Sequence, residues 1–303
     1  MTDEIVASGP LAELMELLEL EPLEVNLFRG TSPHEDQQRV FGGQVAAQAL
    51  IAAGRTVDPG RPVHSLHSYF LRPGDPNVPI VYEVDRIRDG RSFTTRRVVG
   101  IQHGKAIFNL AASFQIVESG PDHAMPMPVV PDPDDLPTFR ERIEPHLGRF
   151  SQDFIDWLGR ERPIDSRPVE DPKWLAPGPR APTQDVWIRA NGTLPDDLLL
   201  HACVVAYASD LSLLDTATLP HAIGYDGDFQ MASLDHAMWF HRPFRADEWL
   251  LYHQTSPSAS NARGLALGHV FRHDGALAIT VMQEGLIRPV APDGDGEGED
   301  PRR

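Results

Sequence analysis

Hydrophobic and polar positions fall into one pattern of elements, and that pattern occurs twice along the chain. The N-terminal stretch LAELMELLEL (11–20) sets leucines at helical spacing beside glutamates and predicts an amphipathic helix. Next comes GGQVAAQALIAAG (42–54), a helix of small residues with no polar face. It is followed by strand-like HSLHSYFLRP (64–73), IVYEVDRIRDG (80–90), FTTRRVVGIQHG (93–104) and KAIFNLAASFQ (105–115). In the second half, LLLHACVVAYASDLSLL (198–214) takes the place of the helix. The strands MASLDHAMWFHRP (231–243), EWLLYHQTSP (248–257), ARGLALGHVFRHDG (262–275) and ALAITVMQEGLIR (276–288) follow it.

Tyr-Phe-Leu-Arg-Pro at 69–73 answers Trp-Phe-His-Arg-Pro at 239–243, and Gly104 of one turn answers Gly275 of the other. The period is too long for a solenoid repeat, so each copy is expected to be a complete unit: one helix, then antiparallel strands joined by tight turns. That is an α+β chain of two tandem repeats, an N-terminal unit over 11–120 and a C-terminal unit over 184–290. Between them, 121–183 is rich in proline, which breaks helices and marks a connector. FSQDFIDWLG (150–159) reads as a short helix within it, and QDVWIRA (184–190) as a strand entering the second unit. The tail at 291–303 has almost no apolar residue to anchor it and is expected to be disordered.

Length and composition, 303 residues with 41% hydrophobic, suffice for a core in each unit. The net charge of −17 argues against nucleic acid as a partner, because phosphate binding needs clustered Lys and Arg. The single cysteine, Cys203, leaves no internal disulfide and no multi-cysteine zinc site, and its apolar neighbours make it a small core residue. The N-terminus lacks the features of a signal peptide and no window has the unbroken apolar run of a membrane span. A cytoplasmic protein with no membrane partner is the expectation.

The helix at 198–214 is apolar nearly all round, so it should be buried. Apart from His201, Asp210 is its only ionisable side chain at ordinary pH. Burial of a carboxylate costs several kcal/mol unless it is hydrogen-bonded, and it raises the pKa toward that of a useful base. The local pattern equally allows Asp210 to cap the next helix or to sit at a helix end facing water. Ser233 and Gln283 interrupt apolar strands, and each taken singly is compatible with an ordinary solvent-facing position. Together the three offer an acceptor, a hydroxyl and an amide, a set able to hold a water and take its proton.

RVFGGQV (39–45), HSLHSYFLRPGD (64–75), VWIRANG (186–192), AYASDLSLL (206–214), LDHAMWFHRPF (234–244), SASNARG (258–264) and VMQEGLIR (281–288) resemble the TesB-like acyl-CoA thioesterases, acyl-CoA thioesterase II, whose fold is a double hotdog. The resemblance implies hydrolysis of acyl-CoA by Asp210, Ser233 and Gln283. In that reading a water is the nucleophile, no covalent intermediate forms, and neither cofactor nor metal takes part. Gly42 and Gly43, at the N-terminus of the first small-residue helix, would face the developing oxyanion. Gln44, His67 and Arg263 are further substrate-binding candidates, and Arg72, Arg96, Arg97, Arg242, Arg263 and Arg288 are cations available to the CoA phosphates. The resemblance also implies a homodimer or a dimer of dimers.

Other chemistries fit less well. No G-x-S-x-G elbow is present for a serine hydrolase. His64 and His67, or His236 and His241, lie at odd spacing on strands and point to opposite faces, against a shared metal. A hydratase of the same fold would carry a histidine five residues after the helix aspartate, where this chain has Asp215. A non-catalytic acyl-CoA-binding hotdog is the alternative of a different class; it would be favoured by loss of one of the three polar residues, and all three are present.

Overall fold

The structure, a computed structural model, describes residues 9–33, 39–149, 152–173, 175–223 and 228–290; the acidic tail lies outside them. Helix α1 (Pro10–Leu18) buries Leu11, Leu14 and Leu18 on one face, as the leucine spacing requires. A hairpin the pattern did not announce follows, β1 (Glu21–Glu24) and β2 (Leu27–Gly30). The first repeat is α2 (Gly42–Gly54) and strands β3 (Val63–Phe70), β4 (Ile80–Asp89), β5 (Phe93–Gln102) and β6 (Lys105–Gln115). The second is β8 (Thr183–Ala190), α5 (Leu198–Ser209), β9 (Phe229–Ser233), β10 (Asp235–Phe240), β11 (Leu250–Ser260), β12 (Arg263–Arg272) and β13 (Leu277–Pro289).

Among the described residues the strands form one antiparallel sheet in the order β1-β2-β4-β5-β6-β3-β10-β13-β12-β11-β8-β7, where β7 is Ile164–Pro168 of the connector, with β9 beside β13. The order is a palindrome of repeats. Strand β3 pairs with β10 at its centre, where His67 lies opposite Ala237, its own counterpart in the other repeat. A local two-fold therefore relates the halves, and the sheet curls around two helices with no polar face. This is the double hotdog. Helix α2 is buried from Gly43 to Ala53, and α5 runs antiparallel beside it, with Gly43 against the Tyr207 carbonyl and Gly54 against Leu199. A Cβ on Gly43 would lie 2.5 Å from that carbonyl oxygen, so only glycine allows this approach. The run Leu198–His221 is long and apolar enough to cross a membrane by composition, and half of it lies inside the fold.

The connector is more than a link. It contains α3 (Phe139–Ile143), α4 (Gln152–Gly159) and an edge strand, β7 (Ile164–Pro168), that pairs with β8. Met127, Val130, Leu136 and Val169 cover Trp187, Leu251 and Phe271 on the outer face of the second repeat. Prolines end helices without forbidding docking, and a stretch read as connector thus shields apolar sheet surface.

Candidate active site

Helix α5 ends one turn sooner than its apolar run, and Asp210 is its C-cap, with φ −87° and ψ −4°. Asp210 sits at a helix end, yet that end faces the interior between the two repeats.

Ser233 reaches the same place through a bulge. Strand β9 pairs Ser233 with Gly285, whereas β10 pairs Ala237 with Met282, so one extra residue lies between them. An extra residue reverses the alternation of faces. In phase with the inward His236 and Met238, Ser233 would point out; the bulge turns it in. The Leu234 N–H donates to the Glu284 carbonyl, and the Glu284 N–H donates to Asp235 Oδ1 at 2.6 Å, which fixes the kink. Gln283, on the inward face of β13, is fully buried.

The three side chains meet. Ser233 Oγ donates to Asp210 Oδ1 at 3.1 Å, Gln283 Nε2 donates to the same oxygen, and Gln283 Nε2 lies 2.9 Å from Ser233 Oγ. The Gly43 N–H also donates to the Asp210 carboxylate, and Oδ2 rests against Gly42, where a Cβ would come within 2.7 Å. Burial raises the Asp210 pKa from its ordinary value to about 6, against the opposing pull of the Gln283, Ser233 and Gly43 hydrogen bonds and the Arg39 charge. Gln283 Oε1 is buried with no hydrogen-bond partner among the described residues.

Asp210 and Ser233 line a cleft of about 630 Å³ between the repeats, walled by Val45, Phe70, Ile107, Phe108, Tyr207 and Leu214, with Gln283 fully buried behind them. Arg39, Arg72, Gly42 and Ser212 add polar groups to the lining. Arg39 also donates to the Met231 carbonyl at 2.7 Å, tying the approach to α2 to strand β9. Arg39 and Tyr207 lie inside strings singled out in the sequence, but no local signal separates them from their neighbours.

Other sequence candidates are elsewhere. Gln44, the third residue of α2, is buried and donates to the Thr31 carbonyl and Ser32 Oγ. His67 is exposed on the outer face, edge-on to Trp239. Arg263 pairs with Glu284 at 2.9 Å, also outside. Of the six arginines considered for phosphate, only Arg72 lines the cleft. Arg96 is buried and spent on Thr56 and Asp89, while Arg97 and Arg242 pair with Asp85 and Asp122. Among the described residues no group of three or more His, Cys, Asp or Glu is arranged to hold a metal ion.

The first repeat lacks this chemistry. By the same two-fold, Val63 stands at the place of Ser233 and Ala112 at the place of Gln283, and α2 ends in Gly54 where α5 ends at Asp210. Among the described residues there is one site of this composition.

A family model described as "Acyl-CoA thioesterase N-terminal domain" matches residues 31–115, and one described as "Acyl-CoA thioesterase" matches 159–286. Acyl-coenzyme A thioesterase 8 of Mus musculus is 45% identical over 93% of this chain and 91% of its own length. The chain belongs to the acyl-CoA thioesterase family. It is accordingly an enzyme, a thioester hydrolase. Acyl-CoA thioesterase 2 of Haemophilus influenzae is 38% identical to this thioesterase over 93% of the chain and 99% of its own. Among solved structures, the acyl-CoA thioesterase II TesB2 of Mycobacterium marinum is 45% identical with a TM-score of 0.75, covering 94% of this chain and all of that one. A protein of Alicyclobacillus acidocaldarius described as having a hot dog fold shares the architecture at 20% identity, with a TM-score of 0.72 over 92% of this chain and 99% of that one.

Proposed function

We propose that this thioesterase hydrolyses acyl-CoA to the free acid and CoA through a water activated by Asp210, without an acyl-enzyme. The carrying observation is the convergence of Ser233 and Gln283 on one oxygen of a carboxylate with a raised pKa, at the edge of an apolar cleft. A carboxylate that titrates near 6 is ionised at neutral pH and still basic enough to take a proton from water. Ser233 and Gln283 fix its direction, and the unpartnered Gln283 Oε1 supplies a second acceptor for the same water. As the water oxygen bonds to the carbonyl carbon, its proton passes to Asp210. The tetrahedral intermediate then expels the CoA sulfur, which takes that proton back.

The Gly43 N–H is engaged by Asp210, which leaves Gly42 as the glycine for the oxyanion. Gly42 lines the cleft on the first residue of α2, where N–H groups have no intrahelical partner. The acyl chain fits the walls formed by Val45, Phe70, Ile107 and Phe108, and Arg39 and Arg72 are the cleft cations available to a phosphate.

Release of free thiol from acyl-CoAs of increasing length tests this reading. Wild type should hydrolyse some of the series, and Asp210→Asn should lose at least about 100-fold in kcat while staying folded, the lower range for loss of a general base. Intact-mass analysis of quenched single turnovers should find no acylated protein. An added mass equal to the acyl group would end the water mechanism, and binding of every acyl-CoA without hydrolysis would leave only a binding protein.

A further inference from the structure

A buried polar network on β11, outside the cleft, grips the turn that carries Asp210 from both sides. The Tyr252 hydroxyl donates to the Ser209 carbonyl at 3.1 Å, and that carbonyl belongs to the peptide unit joining Ser209 to Asp210. Two residues along, Gln254 Nε2 donates to Ser212 Oγ at 2.7 Å, just beyond Asp210. Gln254 Oε1 accepts from Gln184 Nε2 at 2.7 Å and from Thr216 Oγ1 at 3.1 Å, while Gln184 also donates to the Ser212 carbonyl. Ser209 Oγ is itself held by His236 Nε2 at 2.9 Å. Tyr252, Gln254, Ser209 and Thr216 are all fully buried, so none of them touches substrate.

The duplication supplies the comparison. The counterpart of Tyr252 in the first repeat is Tyr82, which is equally buried, but its hydroxyl donates to the Gln48 side chain and to nothing near a cleft. The counterpart of Gln254 is Val84, an ordinary core residue. A buried amide costs free energy that valine does not, unless each of its polar atoms is paired. Gln254 is paired throughout, to the turn after Asp210 and to residues bracing that turn. The fold thus places a polar clamp in the repeat that carries Asp210 and an apolar residue in the one that does not. Gly268 serves the same arrangement: a Cβ there would lie 2.2 Å from the Tyr252 ring, so glycine makes room for the tyrosine.

We infer that Tyr252 and Gln254 are positioning residues for hydrolysis, holding the Ser209–Ser212 turn so that the Asp210 carboxylate meets Ser233, Gln283 and Gly43 together. The inference rests on Asp210 being the base. The acyl-chain walls Val45, Phe70, Ile107 and Phe108 stand on other elements, so a loosened turn disturbs the carboxylate more than substrate binding, and kcat falls with KM little changed. Loss of the Gly43 hydrogen bond, which lowers the Asp210 pKa, moves the acidic limb of the rate profile to higher pH.

The test compares Tyr252→Phe and Gln254→Val with Tyr82→Phe, all three deleting a buried polar contact on corresponding strands. Thiol release is measured from pH 4.5 to 8 on one acyl-CoA, with thermal melting alongside. Tyr252→Phe and Gln254→Val should each lower kcat about tenfold with KM within twofold and shift the acidic limb upward. Tyr82→Phe should lose comparable stability and keep the wild-type kcat and limb. If all three variants keep kcat and limb, or all lose kcat in proportion to stability, the network is purely structural and the inference is overturned. Asp210→Asn in the same assay separates the failures: activity there removes the base and the inference with it, whereas an inactive Asp210→Asn beside wild-type-like Tyr252→Phe and Gln254→Val removes the inference alone.

Discussion

At Asp210 the chemistry proposed for catalysis works against folding. A carboxylate pKa raised to about 6 means the native state holds a proton that the unfolded chain has released between about pH 4 and 6, so this group stabilises the fold in acid and that contribution is lost as pH rises through 6. From the shift, the cost at neutral pH is roughly 3 kcal/mol. His236 runs the other way. Burial depresses its pKa to about 4, so the unfolded state takes up the proton between about pH 6.5 and 4, and stability falls as pH drops through that window. The two slopes oppose one another across the same range in wild type. Asp210→Asn removes one of them, and its stability relative to wild type should grow by on the order of 2–3 kcal/mol between pH 4 and 7 in urea melts. A difference that stays flat with pH would show that Asp210 titrates normally. The residue scale also marks the limit of sequence reading. Asp210 stood out as a lone acid in an apolar helix, but Ser233 and Gln283 looked like any polar residue on a strand, because the direction of Ser233 depends on the bulge after it. Gln44 and His67 lie inside recognisable strings, yet their side chains turn away from the cleft, which no string encodes.

Elements make the site by meeting, and the tightest meeting is α2 against α5. Helix α2 opens with two glycines because the Tyr207 carbonyl and the Asp210 carboxylate occupy the space a side chain would take. Gly43→Ala would push a methyl to within 2.5 Å of a backbone oxygen that belongs to a helix and cannot swing aside. Overpacking of this kind costs about 1–3 kcal/mol. The same displacement carries the Gly43 N–H away from Asp210, so a fall in kcat beyond tenfold is expected from steady-state assays of the folded variant; unchanged kcat would mean the helix N-terminus does not support the carboxylate. Most elements were legible from pattern alone: α2 and the strands β4 to β6 coincide with their predicted segments to within two residues, and β3 ends three residues sooner than its segment. The early end of α5, the break between β9 and β10 and the edge strand β7 were not, since each is settled by partners distant in sequence. The bulge is the instructive case, because one residue added to a continuous apolar strand leaves its composition unchanged and reverses its faces.

The whole molecule is a symmetric scaffold with an asymmetric use. Both repeats contribute to the candidate site, one through α2 and its glycines, the other through Asp210, Ser233 and Gln283, so neither repeat alone contains it. The repeat itself was visible in the sequence; that only one copy keeps the polar trio emerged from the register that sets Val63 and Ala112 against Ser233 and Gln283. The sheet's outer face, where the connector does not cover it, leaves Tyr69 58% and Phe93 39% exposed, with Trp239, Leu265 and Leu267 half-buried on other strands. An apolar face of this extent favours a second copy, and light scattering should give a mass of at least twice the 33.6 kDa chain; a single monomeric species at micromolar concentration would refute that expectation. The central claim, that Asp210 is the base for a water attacking a thioester, is tested most directly by the pH dependence of kcat/KM for acyl-CoA hydrolysis. Wild type should show an acidic limb near pH 6, and Asp210→Asn should be at least about 100-fold slower with that limb gone. A variant that keeps the limb, or keeps the rate, would contradict it.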